Sequence, residues 1–380
     1  MHIAFLTPEY PHEKTNQSAG LGSSMKNLAI GLVENGHKVS VFVYGQNKTE
    51  IIKVNNITIY KIAYKKYKIL SWYFYRKDIQ KFITSVSEKQ KIDLIEAADW
   101  TGITAFMKFK FPIHIRLHGS DGYFCNLEGR KQKFKNYFFE KKALLSADYI
   151  SSVSEFTAKK SSDIFGLKKS ITIIYNGIDI EQFLKSTETI EVNTLLYFGT
   201  IIRKKGVLEL ADIFNCIIEK QPEVKLTLLG KNVIDIFENK STLSLFKSKL
   251  SEKALNNVSY ISHVPYDKVK TYIAKANVIV LPSFAEAFPM TWLEAMAMEK
   301  ALVTSNIGWA KELMLNGETG YIEKPTEHQL YADKILELLA DTMKAQKFGE
   351  NARKRIINQF SIEKVVNENM EFYQLIIYEK

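Results

Sequence analysis

Two α/β units in tandem, each an open sheet of the nucleotide-binding kind, are predicted from three observations. Short apolar runs alternate with amphipathic stretches along most of the chain, a pattern that favours parallel sheets. The series stops at a polar stretch near the middle and then starts again. At 380 residues the chain is long for one core, so two domains are the natural expectation.

Residues 3–7 and 38–43 read as buried strands. Between them, 23–35 has helical spacing at Leu28, Ile30, Leu32 and Val33, with Gly36 just past the end. Further strands are predicted at 93–96, 113–117, 149–153 and 171–175. Residues 176–192 carry few strand or helix signals and include Ser186, Thr187 and Thr189, so the linker is placed there. The second series begins with a strand at 194–198 and a helix at 207–220. Strands follow at 225–229, 258–261 and 278–281, then a helix near Thr291 and a strand at 301–304. The last predicted helix, 362–378, spaces Val365, Val366, Met370, Phe372, Tyr373, Ile376 and Ile377 along the chain. The expected domains are 1–185, 186–361 and a terminal segment, 362–380, packing back toward the first. Ligands of such sheets bind beyond the carboxyl ends of the strands, so the loops after strands are where chemistry is sought.

Hydrophobic residues make up 46% and charged residues 25%, an ordinary globular balance. No run reaches the roughly 18 apolar residues of a membrane span. The opening Met1-His2-Ile3-Ala4-Phe5-Leu6-Thr7 reads as a strand, not a leader, and a cytoplasmic location is expected. Cys125 and Cys216 fall in different halves and predict neither a disulfide framework nor a metal site. The net charge of +10 is one-sided. Residues 1–185 hold 28 Lys and Arg against 17 Asp and Glu, and the remainder 24 against 25. An anionic partner for the first half is expected.

Four stretches could carry chemistry. Gly20-Leu21-Gly22 precedes a helix, where backbone N–H groups can approach a phosphate; the alternative is a plain turn with a Ser cap. Arg203, Lys204 and Lys205 lie between a strand and a helix, where cations can neutralise a departing diphosphate; the alternative is a solvated charge run. The stretch 280–296 places Glu286 in a loop and Glu294 in the opening turns of a helix entered near Pro289. Carboxylates there accept hydrogen bonds from sugar or ribose hydroxyls, although Glu294 could simply complement the helix dipole. His118, in Arg116-Leu117-His118-Gly119, ends a strand, where it can meet a substrate oxygen or be a satisfied structural residue.

Taken together and in order, these stretches resemble family 4 of the retaining glycosyltransferases, the group 1 glycosyl transferases of GT-B architecture. The resemblance rests on Thr7-Pro8-Glu9 with the Gly20–Gly22 loop, Ser152-Val153-Ser154-Glu155, Tyr175-Asn176-Gly177-Ile178-Asp179, Lys205-Gly206, Glu286 with Glu294, Asn316-Gly317-Glu318-Thr319-Gly320-Tyr321, and Phe360-Ser361-Ile362-Glu363. It implies two Rossmann-like α/β/α domains facing a cleft, with a C-terminal helix crossing back to the first. It implies that Lys205 binds the diphosphate of a nucleotide sugar, Glu286 the transferred sugar and Glu294 the ribose. Ala287, Phe288, Pro289 and Met290 would line sugar and phosphate, with Gly20, Gly22 and Thr200 also on the donor, and His118 would reach the sugar. The sequence departs from the family at Thr200, where Arg is usual and Arg203 is expected to stand in, and at Gly308-Trp309, where Gly-Gly is common.

The expected activity is retaining transfer of a hexosyl unit from a UDP- or GDP-linked sugar to an acceptor hydroxyl. The acceptor is expected to be a glycan or a lipid-linked precursor in cell-surface glycan or glycolipid synthesis. No Asp-x-Asp stretch calls for a metal, and no cofactor is expected. Basic and aromatic residues interleave over 61–82, and 130–142 adds a second basic cluster, so peripheral docking on an anionic membrane face is expected. The rival readings are a sugar-nucleotide epimerase of the same fold, disfavoured by scarce histidine, and a non-catalytic sugar-binding protein, disfavoured by the cationic loop. Nucleic acid is not expected as a partner, for want of a recognition motif.

Overall fold

The computed structural model describes residues 1–16, 18–185 and 188–378. Its chain divides into two compact units, Met1–Gly177 with Phe360–Lys380, and Ile178–Gln359. The division falls at Gly177 and not at 185. Ile178 and Phe183 are buried, and Phe183 packs on Tyr266 while its carbonyl accepts from Arg353, so this irregular stretch folds with the second unit. Ser186 and Thr187 of the expected linker, and Glu379 and Lys380 of the terminal segment, lie outside the described residues.

The first unit contains strands β1 (His2–Thr7), β2 (Lys38–Gln46), β3 (Glu50–Val54), β4 (Ile57–Ala63), β5 (Leu94–Ala98), β6 (Ile113–Leu117), β7 (Tyr149–Ser152) and β8 (Ile171–Ile173). They lie in the order β3-β4-β2-β1-β5-β6-β7-β8, parallel except for β3, which pairs antiparallel with β4. Helices α1 (Gly20–Glu34), α2 (Ser71–Lys89), α3 (Asp121–Leu127), α4 (Phe134–Ser146) and α5 (Glu155–Phe165) fill the crossovers. Alternate residues of β1 enter opposite cores, as a pleated strand requires. Ile3 and Phe5 join Met25, Leu28 and Leu32 of α1, while Ala4 and Leu6 join Ile79 and Ile83 of α2 and Phe139 of α4.

The second unit is a six-stranded sheet of order β11-β10-β9-β12-β13-β14 whose paired strands all run parallel. Its strands are β9 (Thr194–Phe198), β10 (Lys225–Leu229), β11 (Val258–Ile261), β12 (Val278–Leu281), β13 (Ala301–Ser305) and β14 (Tyr321–Glu323). Its helices are α6 (Val207–Lys220), α7 (Thr242–Lys249), α8 (Glu252–Asn256), α9 (Tyr266–Lys275), α10 (Met290–Ala297), α11 (Ala310–Leu313), α12 (His328–Ala340) and α13 (Thr342–Phe360). Strands 9 and 12 are neighbours, yet their outgoing connections lead to opposite halves of the sheet. The loops that leave their carboxyl ends therefore flank the switch point where such sheets hold ligands.

Helix α14 (Ile362–Tyr378) belongs to the first unit. Its Val365, Val366, Phe372, Tyr373 and Ile376 share a core with α1 and strands β1 to β5. A buried polar cluster fixes its register. Glu96 binds Arg116 through both oxygens, at 2.8 and 3.1 Å, and accepts from Tyr373 Oη at 2.5 Å and lies 3.0 Å from His114 Nδ1. Asn369 Oδ1 takes a further N–H of Arg116. Among the described residues no helix is long and apolar enough to cross a membrane.

Candidate active site

The site in the second unit is built by two loops that hold each other. After β9 the chain passes Gly199 and Thr200, whose carbonyl accepts from Tyr197 Oη at 2.8 Å, and makes a 3-10 turn at Arg203–Lys205. Gly206 then opens α6 with φ of 69°. A Cβ at Gly206 would stand 1.8 Å from the carbonyl oxygen of Pro282, so only glycine lets the two loops meet there. The carbonyl of Lys204 accepts from the N–H groups of Phe284 and Ala285 at 2.8 and 3.2 Å. Lys205 is thereby delivered to Glu286, with Nζ 3.2 Å from Oε1, and its ammonium lies over Gly199. Both side chains are largely buried.

Beyond Glu286, Ala287 and Phe288 are buried in the turn, Pro289 caps α10, and Met290 is the first helical residue. Glu294 lies buried one turn further on and accepts from Tyr266 Oη at 2.6 Å. Burial pushes its carboxyl up to about 7, against the opposing pull of the Tyr266 hydroxyl and the Lys205 charge. It is therefore more than a first-turn acid. Lys205, Glu286 and Glu294 are brought into one electrostatic group.

Arg203 is not part of that group. Its guanidinium is held by Asp235, at 2.7 and 3.1 Å, and by Glu238 at 2.8 Å. Two carboxylates already match its charge, so the expected stand-in for the family arginine is committed elsewhere. Trp309, the departure from the family's Gly-Gly, is fully buried against Trp292, with ring centroids 6.5 Å apart.

In the first unit His118 follows β6, partly buried, and its backbone N–H donates to Asp99 Oδ1 at 3.0 Å. Burial, reinforced by Arg116, pushes the imidazole down to about 3, so it is neutral at physiological pH. Asp99 is buried too, and its Oδ2 has no hydrogen-bond partner among the described residues. Burial, with Glu140 nearby, raises its carboxyl to about 8. The glycine loop departs from the phosphate reading. The N–H groups of Ala19 and Gly22 donate to Glu9 Oε1 at 3.0 and 2.8 Å, so a carboxylate of this chain takes the place at the start of α1 where a phosphate was expected beside Gly20 and Gly22.

Sequence reasoning missed Tyr266, Asp235, Asp99 and the capping role of Glu9. Only Glu9 left a signal, in the Thr7-Pro8-Glu9 start before the glycine loop. In the other motif stretches the polar side chains hold local structure. Ser154 caps α5 through Thr157 N–H at 3.1 Å, Asn176 Oδ1 accepts from Ser24 Oγ at 2.7 Å, and Asn316 Oδ1 accepts from Ile322 N–H at 2.9 Å.

Two Rossmann-like units, with cationic and acidic loops at the switch point of the second, define an enzyme of the GT-B glycosyltransferase class. Residues 179–355 match the family described as glycosyl transferases group 1, and residues 18–182 match glycosyltransferase family 4. The chain belongs to these glycosyltransferases. The capsular polysaccharide biosynthesis glycosyltransferase CapM of Staphylococcus aureus is 31% identical over 264 residues, 65% of this chain and 66% of that protein. Sucrose-phosphate synthase from Thermosynechococcus elongatus shares the fold with a TM-score of 0.80 at 18% identity over 100% of both chains. HepE of Anabaena, in complex with UDP-glucose, does so with a TM-score of 0.75 at 18% identity, over 98% of this chain and 99% of that one.

Proposed function

We infer that this enzyme transfers a hexosyl unit, with retention, from a UDP- or GDP-linked sugar to an acceptor hydroxyl in the synthesis of a cell-surface glycan or glycolipid. The observation that carries the reading is the Lys205–Glu286 pair, 3.2 Å apart at the switch point, with the buried Glu294 behind it. The solved complex of HepE with UDP-glucose supports the donor class, and the name of CapM supports the product class.

In this reading the diphosphate takes the ammonium of Lys205, which frees Glu286 to accept hydrogen bonds from sugar hydroxyls, while Glu294 accepts from the ribose. The acceptor oxygen bonds to the anomeric carbon on the face from which the diphosphate leaves. The acceptor's proton passes to a diphosphate oxygen, and Lys205 balances the charge that grows there. The reading assigns no step to a metal. Arg203, held by its two carboxylates, is left out of the charge balance.

Thermal shift with UDP-, GDP- and ADP-sugars tests this reading. A donor at one hundred times its Kd stabilises the protein by about 2.7 kcal/mol. Lys205→Ala should weaken that donor by about ten- to a hundredfold, the worth of a charged hydrogen bond. Equal stabilisation of wild type and variant by every nucleotide sugar would end the proposal.

A further inference from the structure

The folded first unit joins the two basic-aromatic segments into one surface and separates what is buried from what is offered. Lys61 is buried against Glu50 at 3.3 Å. Arg76 is buried as well, bonded to the carbonyls of Trp72, Thr101 and Gly102 and lying 4.2 Å over the Phe139 ring. These members of the segments are structural. Other rings of the two segments, bridged by Phe106 from between them, form a continuous chain, Tyr67–Phe74–Tyr73–Phe106–Phe138, with centroids 5.5, 5.7, 5.9 and 6.2 Å apart in turn. The chain runs from the start of α2 across Phe106 to α4, and Phe74 and Phe138 are exposed.

Beside these rings stand large apolar side chains with no cover. Ile69 is 74% exposed and Phe134, the first residue of α4, is 80% exposed. Leu70 is exposed too, and its backbone is left-handed, with φ of 48°, a conformation that favours glycine or asparagine. A strained loop tip that projects two aliphatic side chains into water is unfavourable unless something apolar receives it.

Charge says what receives it. Residues 61–82 hold seven Lys and Arg to one acid, and residues 130–142 hold six to one. Neither acid counters the field outward. Asp78 is engaged by Tyr67 and Lys65, and Glu140 is buried on the N–H groups of Thr101, Asp121 and Gly122. Lys66, Lys68, Lys131, Lys133 and Lys135 are exposed and make no ion pair among the described residues. Exposed aliphatic and aromatic tips ringed by unpaired lysines match an anionic lipid surface, where tips enter the acyl boundary and lysines meet phosphates. A soluble polyanion would engage the lysines and leave Ile69, Leu70 and Phe134 in water.

We propose that this face of the first unit docks on an anionic lipid bilayer as an interfacial, non-spanning contact, with the 69–70 tip and Phe134 inserted. The inference does not depend on the donor assignment, because every residue it uses lies outside the candidate site.

The test is co-sedimentation of the full chain with vesicles of phosphatidylcholine, alone or with about one third phosphatidylglycerol. Binding should require phosphatidylglycerol and weaken with salt. Lys66→Glu with Lys68→Glu should weaken it about tenfold. Ile69→Asn with Leu70→Asn should weaken it by a similar factor, about tenfold, while keeping the protein folded, since asparagine suits the left-handed position. Unchanged thermal unfolding confirms that both variants are intact. Absence of vesicle binding, equal binding to neutral vesicles, or an apolar variant that binds like wild type would each overturn the proposal. So would binding of soluble inorganic polyphosphate in place of vesicles, which would assign the face to an acidic polymer. Donor-induced stabilisation, measured without lipid, reports separately on the second unit.

Discussion

If Glu294 receives the donor's ribose, donor binding must depend on pH through that one carboxyl. The group is buried, bonded to Tyr266 Oη at 2.6 Å, and titrates near 7 with no ligand present. A carboxylate that accepts two hydroxyl hydrogen bonds is favoured over the acid, so the donor selects the ionised form. With a midpoint near 7, roughly one tenth of the protein is ionised at pH 6 and roughly nine tenths at pH 8, so donor affinity should rise about tenfold between them. The folded value lies above the ordinary 4.5, which sets the opposite trend for the empty protein. The stability this group contributes is present below 4.5 and is lost as pH rises through 7. Glu294→Gln should therefore be more stable than wild type at pH 8 in the absence of donor, by at most about 3 kcal/mol. Calorimetric titration with a nucleotide sugar, whose diphosphate does not titrate in this range, reads the first effect directly. Wild type should take up donor more tightly at pH 8, and Glu294→Gln should bind weakly and without a slope. Tyr266→Phe removes a hydrogen bond that favours the carboxylate, so it should move the midpoint upward. An identical pH slope in wild type and Glu294→Gln would place the titration elsewhere and refute the reasoning.

Gly206→Ala should cost about 3 kcal/mol or more in urea unfolding, because left-handed strain adds to a backbone clash that no rotamer relieves; a Cβ there would lie 1.8 Å from Pro282 O. Gly317 has a similar φ of 76° with open space around it, so Gly317→Ala should cost only about 1 kcal/mol, and equal losses would show that the loop contact does not matter. Asp99 is raised to about 8, so its contribution to stability is complete below pH 4 and declines as pH rises through 8. Relative to Asp99→Asn, wild type should lose about 1.4 kcal/mol per pH unit across that window, and parallel stability curves would count against the buried, neutral acid.

Most of the parallel strands, though not β4 or β14, were legible because they are apolar runs closed by a loop residue, as at Val278–Leu281 before Pro282. The candidate donor loops were legible for the same reason, since a cation or acid directly after such a run must lie at the carboxyl end of the sheet. The β3–β4 hairpin was missed although it carries a local signature. Asn55 and Asn56 both take positive φ, 48° and 59°, as a two-residue hairpin turn demands, and Asn-Asn between two apolar runs is a readable signal. Helix α2 was hidden by its own composition, because rings at Trp72, Tyr73, Phe74 and Tyr75 blur helical periodicity into a surface-like run. The fate of Arg203 could not be read at all. Asp235 lies 32 positions away, and nothing in the intervening chain announces that a turn will return it to 2.7 Å from the guanidinium.

What separates the structural carboxyl of Glu96 from the candidate donor carboxyl of Glu294 is the number of donors each one meets. Glu96 is almost fully buried, and burial alone would keep it protonated. Arg116, His114 and Tyr373 saturate both its oxygens and hold it well below the usual carboxylate range, so nothing remains for a ligand to supply. Glu294 meets the Tyr266 hydroxyl and a more distant Lys205, too little to offset its burial, and it stays half-protonated near neutrality. Glu286 is paired with Lys205 at 3.2 Å, and in the proposed reading Lys205 is the cation an incoming diphosphate would draw away. The first cluster is complete and fixes a helix. In the proposed reading the ribose hydroxyls supply the donors that Glu294 lacks, and the preformed lysine–glutamate pair holds both side chains in place.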